Sequence, residues 1–197
     1  MKKHRVFFGG SFNPPHHGHL DIIKELVKKS EIDAIHIVPT SQNPLKTEAL
    51  KKYNSLLVLH AFFNEAQTHG SSEKIQLELL EWVQKDMSYT IESLRALYQN
   101  YAESEWSLVL GSDCLESFHL WKNAEKLIRG CKSIYVFKRS DHDIKNLDFF
   151  QNKVIELPQV RSMSSTQIRK FIEDKNLDQL EESLPPRVFK ELAKKLN

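Results

Sequence analysis

The chain has 197 residues, about one domain at ~100–200 residues per domain. Hydrophobic residues are 40% and charged residues 27%, a globular balance that excludes a disordered or low-complexity chain. Lys+Arg number 28 against Asp+Glu 26, a formal charge of +2, too even to predict a nucleic-acid binder from charge alone, since phosphate-backbone binding needs a clustered basic surface. Short apolar runs predict strands at Arg5–Phe8, Ala34–Val38, Trp106–Leu110 and Ser133–Phe137, with weaker ones at Lys74–Leu77 and Lys153–Leu157. Runs apolar on both faces suit a parallel sheet covered on both sides. Between them, helical periodicity predicts helices at His19–Lys29, Leu50–Gln67, Thr90–Tyr101, Leu115–Ile128, Thr166–Asp174 and Pro186–Leu196. In the first of these, Leu20, Ile23, Leu26 and Val27 make the apolar stripe, and Asp21, Lys24, Glu25 and Lys28 the polar one. The expected fold is therefore α/β: a Rossmann-like, mostly parallel sheet with helices on both faces, one domain over residues 1–197. Cys114 and Cys131 stand in no CxxC or Cys/His ladder and read as reduced packing residues. No apolar run nears the ~18 residues of a membrane span, and Val6-Phe7-Phe8 is too short a core for secretion. A cytoplasmic protein with no membrane or nucleic-acid partner is expected.

Open α/β sheets bind ligands beyond the carboxyl ends of their strands. After the first strand comes Gly9-Gly10-Ser11-Phe12-Asn13-Pro14-Pro15-His16-His17-Gly18-His19. Paired glycines permit a sharp turn and close approach by a ligand; prolines fit a turn feeding a helix start. His16 and His19 fall on one face of the first helical turn, where free N–H groups favour anions. Read alone, the glycines are a turn and the histidines structural or metal-binding. However, no HExxH, GxxxxGK[ST] or GxGxxG is present. Near the C-terminus, Ser164-Ser165-Thr166 precede Ile168, Phe171 and Ile172 as an N-cap, with Arg169 one turn in. By itself that is a cap beside a solvated arginine.

The stretch Gly9–His19 resembles the GG-[ST]-F-[DN]-P-x-H-x-G-H signature of HxGH-superfamily nucleotidyltransferases, and Met163–Arg169 resembles their second signature, [IM]-S-S-T-x-[IV]-R. The resemblance implies that His16 and His19 stabilise the α-phosphate of ATP, with His17 at the variable position. It also implies that Ser165, Thr166 and Arg169 hold phosphates. Further segments are similar to nicotinate-nucleotide adenylyltransferases: Val38–Lys46, Ser88-Tyr89-Thr90, Gly111-Ser112-Asp113 with Trp121, Tyr135–Arg139, and Leu184–Val188. Asn43 and Leu45 depart from that family's Pro and His, and no arginine opens the second helix.

Within the resemblance, catalytic roles go to His16, His19, Lys46 and Arg169. ATP would meet Gly9, Gly10, Ser11, Phe12, His16, His19, Gly111, Asp113, Arg139, Ser165, Thr166 and Arg169. The nicotinate nucleotide would meet Asn13, Lys46, Ser88, Tyr89, Thr90 and Trp121. Mg2+ would be carried mainly by ATP phosphates, with no protein ligand assigned. The implied reaction moves AMP from ATP to nicotinate mononucleotide. Other phosphate acceptors (nicotinamide mononucleotide, phosphopantetheine) share both signatures, and a nucleotide-binding module without chemistry would share the fold.

Overall fold

Residues 3–10 alternate their side chains between two apolar layers, and this fixes the middle of the sheet. In the computed structural model, Val6 and Phe8 join one hydrophobic cluster while Phe7 joins another, the pattern of a strand covered on both faces. The structure describes residues 2–40, 55–71, 73–82, 89–138, 147–150, 152–161 and 163–196. Among them the strands are β1 (Lys3–Gly10), β2 (Ala34–Pro39), β3 (Ile75–Leu77), β4 (Ser104–Gly111), β5 (Ile134–Phe137) and β6 (Val154–Leu157). The helices are α1 (His17–Val27), α2 (Leu56–Ala66), α3 (Thr90–Asn100), α4 (Ser112–Ser117), α5 (Ala124–Gly130), α6 (Ser165–Glu173), α7 (Leu177–Ser183) and α8 (Pro186–Ala193).

All recorded pairings are parallel, in the order β3-β2-β1-β4-β5-β6. The chain runs outward from β1 through β2 to β3, then returns to place β4 on the other side of β1. The crevice at this reversal, beyond the carboxyl ends of β1 and β4, is where such sheets bind nucleotides. Helices α1, α2, α6, α7 and α8 bury Leu20, Ile23, Phe62, Ile168, Leu180 and Val188 against one face. On the other face lie Leu94, Leu97, Leu115, Phe118 and Leu127 from α3 to α5 and the turn between them. Cys131 is buried and Cys114 half-buried; burial pushes the Cys131 thiol up to about 12, so it packs as an inert apolar group.

Two expected helices are drawn differently. The apolar spacing of Leu115, Phe118, Leu127 and Ile128 predicts one helix, but the chain breaks into α4, a 3-10 turn at Phe118–Leu120 and α5. Trp121 is extended and Asn123 takes a left-handed conformation with φ 57°, which asparagine tolerates better than most residues. Helix α2 begins at Leu56, capped by the Ser55 hydroxyl, which accepts from Val58 N–H at 3.4 Å; residues 50–54 of the expected helix lie outside the described residues. Helix α7 was not expected. Only Leu180 and Ser183 of it are buried, too few for periodicity to register, although its Asn176 cap, accepting from Gln179 N–H at 3.2 Å, is a readable start signal.

A buried polar cluster ties three strands together. Arg5 Nη1 lies 3.0 Å from His36 Nε2, and His36 Nδ1 lies 2.8 Å from Glu78 Oε1. Arginine can only donate, so His36 Nε2 accepts and Nδ1 carries the proton toward Glu78. Protonating the ring would set N–H against guanidinium N–H. Burial accordingly holds the His36 pKa down, as it does those of His4 and His17. An unfolded histidine titrates near 6.5; below that pH the unfolded chain takes up protons that the folded chain refuses, so stability falls as pH falls. Glu78 and Asp21, held low by hydrogen-bonded partners, add a loss of the same sign at more acid pH. Thermal melts should therefore give a lower Tm at pH 5.5 than at pH 7.5, and a flat profile would contradict this reading.

Candidate active site

The loop after β1 is built around a buried ring. Phe12 has φ 42°, a left-handed backbone that costs a non-glycine residue about 1–3 kcal/mol. Its side chain is fully buried, edge-on to Phe8 at 5.3 Å and 4.8 Å from the His19 ring. Burying a phenylalanine offsets a cost of that size. The ring is therefore a wedge behind His19, and only its backbone can reach a ligand. Asn13 is likewise buried, and the Asn13–Pro14 peptide is cis.

His16 caps α1 in extended conformation and His19 is the third helical residue. Their ring centroids are 3.8 Å apart. The His16 backbone N–H donates to His19 Nδ1 at 3.3 Å, so neutral His19 carries its proton on Nε2. That geometry makes His19 a donor on the side away from the helix backbone. His17 does not join the pair; its electrostatic neighbours are Arg161, Asp21 and Lys24, along the outer face of α1.

Helix α6 meets this loop directly. Ser165 Oγ donates to the Pro14 carbonyl at 3.1 Å, Arg169 Nη1 to the Asn13 carbonyl at 2.9 Å, and Arg169 Nη2 to Thr166 Oγ1 at 2.9 Å. Segments some 150 residues apart in sequence thus bring two helix N-termini to one place. The cap itself is Ser164, whose hydroxyl accepts from Gln167 N–H at 3.2 Å; Ser165 and Thr166 are the first helical residues. We expect Ser164→Ala to cost ~1 kcal/mol and Thr166→Ala less, read by chemical denaturation; the reverse order would contradict this cap.

Gly10 ends β1, and Gly111 ends the adjacent β4. Gly111 also caps α4, and Asp113 sits in that helix's first turn with its carboxylate folded over Gly111; a Cβ there would collide with it. Further along, Tyr89 caps α3 and Thr90 opens it. Trp121 is half-buried, stacked on Phe118 at 4.8 Å and 29°. Lys122, which the sequence reading passed over, holds its ammonium 4.2 Å above the Tyr89 ring and pairs with Glu92 at 2.5 Å. It links the Trp121 turn to the start of α3. Gly9 is the next-to-last residue of β1 and Ser11 the first beyond it. Lys46, Ser88 and Arg139 lie outside the described residues, as do Asn43 and Leu45.

No group of three His, Cys, Asp or Glu gathers as a metal cluster among the described residues. The donors around the loop are imidazoles, hydroxyls, a guanidinium and helix-start N–H groups, a set that binds anions. A magnesium ion keeps several waters and binds largely through substrate phosphates. The residues present fit a cation that arrives on a polyphosphate.

A parallel sheet in this order, with two helix N-termini and a histidine pair over its central strand, defines a nucleotide-binding α/β protein that handles phosphate. Residues 7–171 match the family described as cytidylyltransferase-like, and the chain belongs to that family. A probable nicotinate-nucleotide adenylyltransferase of Leptospira interrogans is 33% identical over 83% of this chain and 82% of its own. One of Flavobacterium psychrophilum is 32% identical over 92% and 91%. A solved structure of Plasmodium falciparum nicotinic acid mononucleotide adenylyltransferase, complexed with NaAD, superposes with TM-score 0.78 at 21% identity, covering 98% of this chain and 96% of that one.

Proposed function

We propose that the chain is an ATP-dependent nicotinate-nucleotide adenylyltransferase, making nicotinate adenine dinucleotide and pyrophosphate in NAD biosynthesis. The observation that carries the site assignment is the docking of Ser165 and Arg169 onto the Asn13-Pro14 backbone, beside the His16–His19 pair. Relatives named as probable enzymes of that activity, matched over 82% and 91% of their length, support the reading. The acceptor's phosphate is an anion at pH 7, so it attacks the α-phosphorus without a protein nucleophile, and pyrophosphate leaves. Such a reaction needs positioning and charge stabilisation.

His16 and His19 donate to the α-phosphate as negative charge builds on its oxygens. The N–H groups of Ser165 and Thr166, with Arg169, hold the outgoing phosphates; Gly9 to Phe12 offer backbone to the nucleotide. Two faces of the Arg169 guanidinium are engaged in the resting structure, and its remaining N–H groups suffice for a phosphate oxygen. Asp113 at the end of β4 accepts from ribose hydroxyls, and Arg139 completes the ATP side. Tyr89, Thr90 and Ser88 receive the nicotinate carboxylate, Trp121 stacks on the ring, and Asn13 and Lys46 face the acceptor's phosphate. Bound Mg2+ would neutralise triphosphate charge through the phosphate oxygens.

The test is pyrophosphate release from ATP with each of three acceptors: nicotinate mononucleotide, nicotinamide mononucleotide and phosphopantetheine. Release with nicotinate mononucleotide above the others is expected. Preference for phosphopantetheine would overturn the substrate assignment, and silence with all three would leave a binding module.

A further inference from the structure

Between β6 and α6 the chain crosses the first turn of α1. The Arg161 carbonyl lies against Gly18, where a Cβ would come within 3.3 Å of it. The Arg161 side chain then reaches on along α1 to Asp21, and its Nε and Nη2 meet the two carboxylate oxygens at 2.6 and 2.7 Å. This is a fork-to-fork pair, the arrangement that fixes direction as well as distance. Asp21 stands two residues past His19, and Arg161 three residues before the Ser164 cap. The pair therefore joins the two phosphate-binding segments from outside the cleft.

Inside the cleft, the same segments are joined by Ser165 to Pro14 and Arg169 to Asn13. Those two residues are also assigned to phosphate, Ser165 through its backbone N–H and Arg169 through its remaining N–H groups, so they serve the ligand as well as the loop. The Arg161–Asp21 fork does not face phosphate and can hold the spacing. We infer that Asp21 and Arg161 are positioning residues, which set the second signature helix against the histidine pair for ATP; the inference rests on the adenylyl-transfer reading above.

Folding alone does not fully explain the pair. The Arg161 side chain is 47% exposed and that of Asp21 19%, so even with bidentate geometry the pair adds no more than about 1 kcal/mol to stability. It opens on a surface cleft of about 460 Å³ that Lys24, Lys28, His69 and Gln159 also line, leaving room for the two residues to be exchanged.

The experiment compares wild type with Asp21→Ala, Arg161→Ala and the exchange D21R/R161D, in steady-state kinetics and thermal melts. Each single variant should lose about tenfold in kcat/KM for ATP, the scale of a small misplacement of reacting groups. KM for nicotinate mononucleotide should stay within twofold, since its ring and carboxylate are assigned to α3 and Trp121. The Tm should move by no more than about 2–4 °C, and the exchange should regain most of the lost efficiency. Single variants with wild-type ATP kinetics would overturn the inference. So would a loss shared equally by both substrates, a loss tracking a collapse in Tm, or one the exchange fails to regain. Wild type that makes no dinucleotide would instead refute the activity itself, separating the two failures.

Discussion

Alanine at position 19 is expected to lower turnover by roughly 10²–10³ while leaving the protein folded, the scale of one donor lost from a developing oxyanion. The ring is held on two sides. Its Nδ1 accepts from the His16 backbone N–H, and Phe12 packs against its face. The proton is therefore on Nε2 and the ring has little freedom to turn, so no reorganisation is needed when charge builds on the phosphate. His16→Ala should cost about as much, because the two rings lie 3.8 Å apart and serve one centre. His17→Ala should cost far less, since that ring's charged neighbours are Arg161 and Asp21 on the outside of the helix. Steady-state kcat for the three variants, with circular dichroism to verify folding, checks the assignment; equal and mild effects at all three would remove it.

The second large effect concerns the acceptor. Nicotinate carries a carboxylate where nicotinamide carries an amide. The start of α3 presents N–H groups at Thr90 and its neighbours, which a carboxylate satisfies with charge-assisted bonds. An amide brings its own NH₂ against them and leaves buried donors unpaired, at ~1–3 kcal/mol each. We expect kcat/KM for nicotinate mononucleotide to exceed that for nicotinamide mononucleotide by at least about tenfold. The Lys122 ammonium, 4.2 Å above the Tyr89 ring, is paired with Glu92 of the same helical turn, so the discrimination rests on the N–H groups. Trp121→Ala should lower activity with both nucleotides, because stacking serves the ring they share. Competition between the two for ATP decides it: equal use would refute the pocket at Thr90.

Much of this architecture was written in the order of residues. The six strands among the described residues fall where short apolar runs place them, most plainly β1, β2, β4 and β5, because a strand buried on both faces leaves a continuous signal. The two segments assigned to phosphate were legible as a strand-to-helix turn and a helix start, since glycines, prolines and hydroxyl residues mark both. Their meeting was expected only through the resemblance, which assigns both to the phosphates of one ATP. Nothing local in Ser165 or Arg169 says that they bond the backbone of Asn13 and Pro14; only the sheet order brings them there. The resemblance places Phe12 against nucleotide, but burial of its ring behind His19 depends on packing from Phe8 and Phe62. The break at Trp121–Asn123 interrupts an otherwise helical pattern through one left-handed residue, which periodicity does not register. Lys122 and the Asp21–Arg161 fork each look like solvated charge in sequence and acquire a role from a partner distant along the chain.

The central claim is that this cleft joins AMP to nicotinate mononucleotide. Its most direct measurement follows wild type and His19→Ala with ATP and nicotinate mononucleotide, quantifying dinucleotide by mass spectrometry and pyrophosphate enzymatically. The account predicts nicotinate adenine dinucleotide and pyrophosphate in equal amounts, both reduced together by roughly 10²–10³ in the variant. Pyrophosphate without dinucleotide, or dinucleotide formed as fast without the His19 ring, would contradict it.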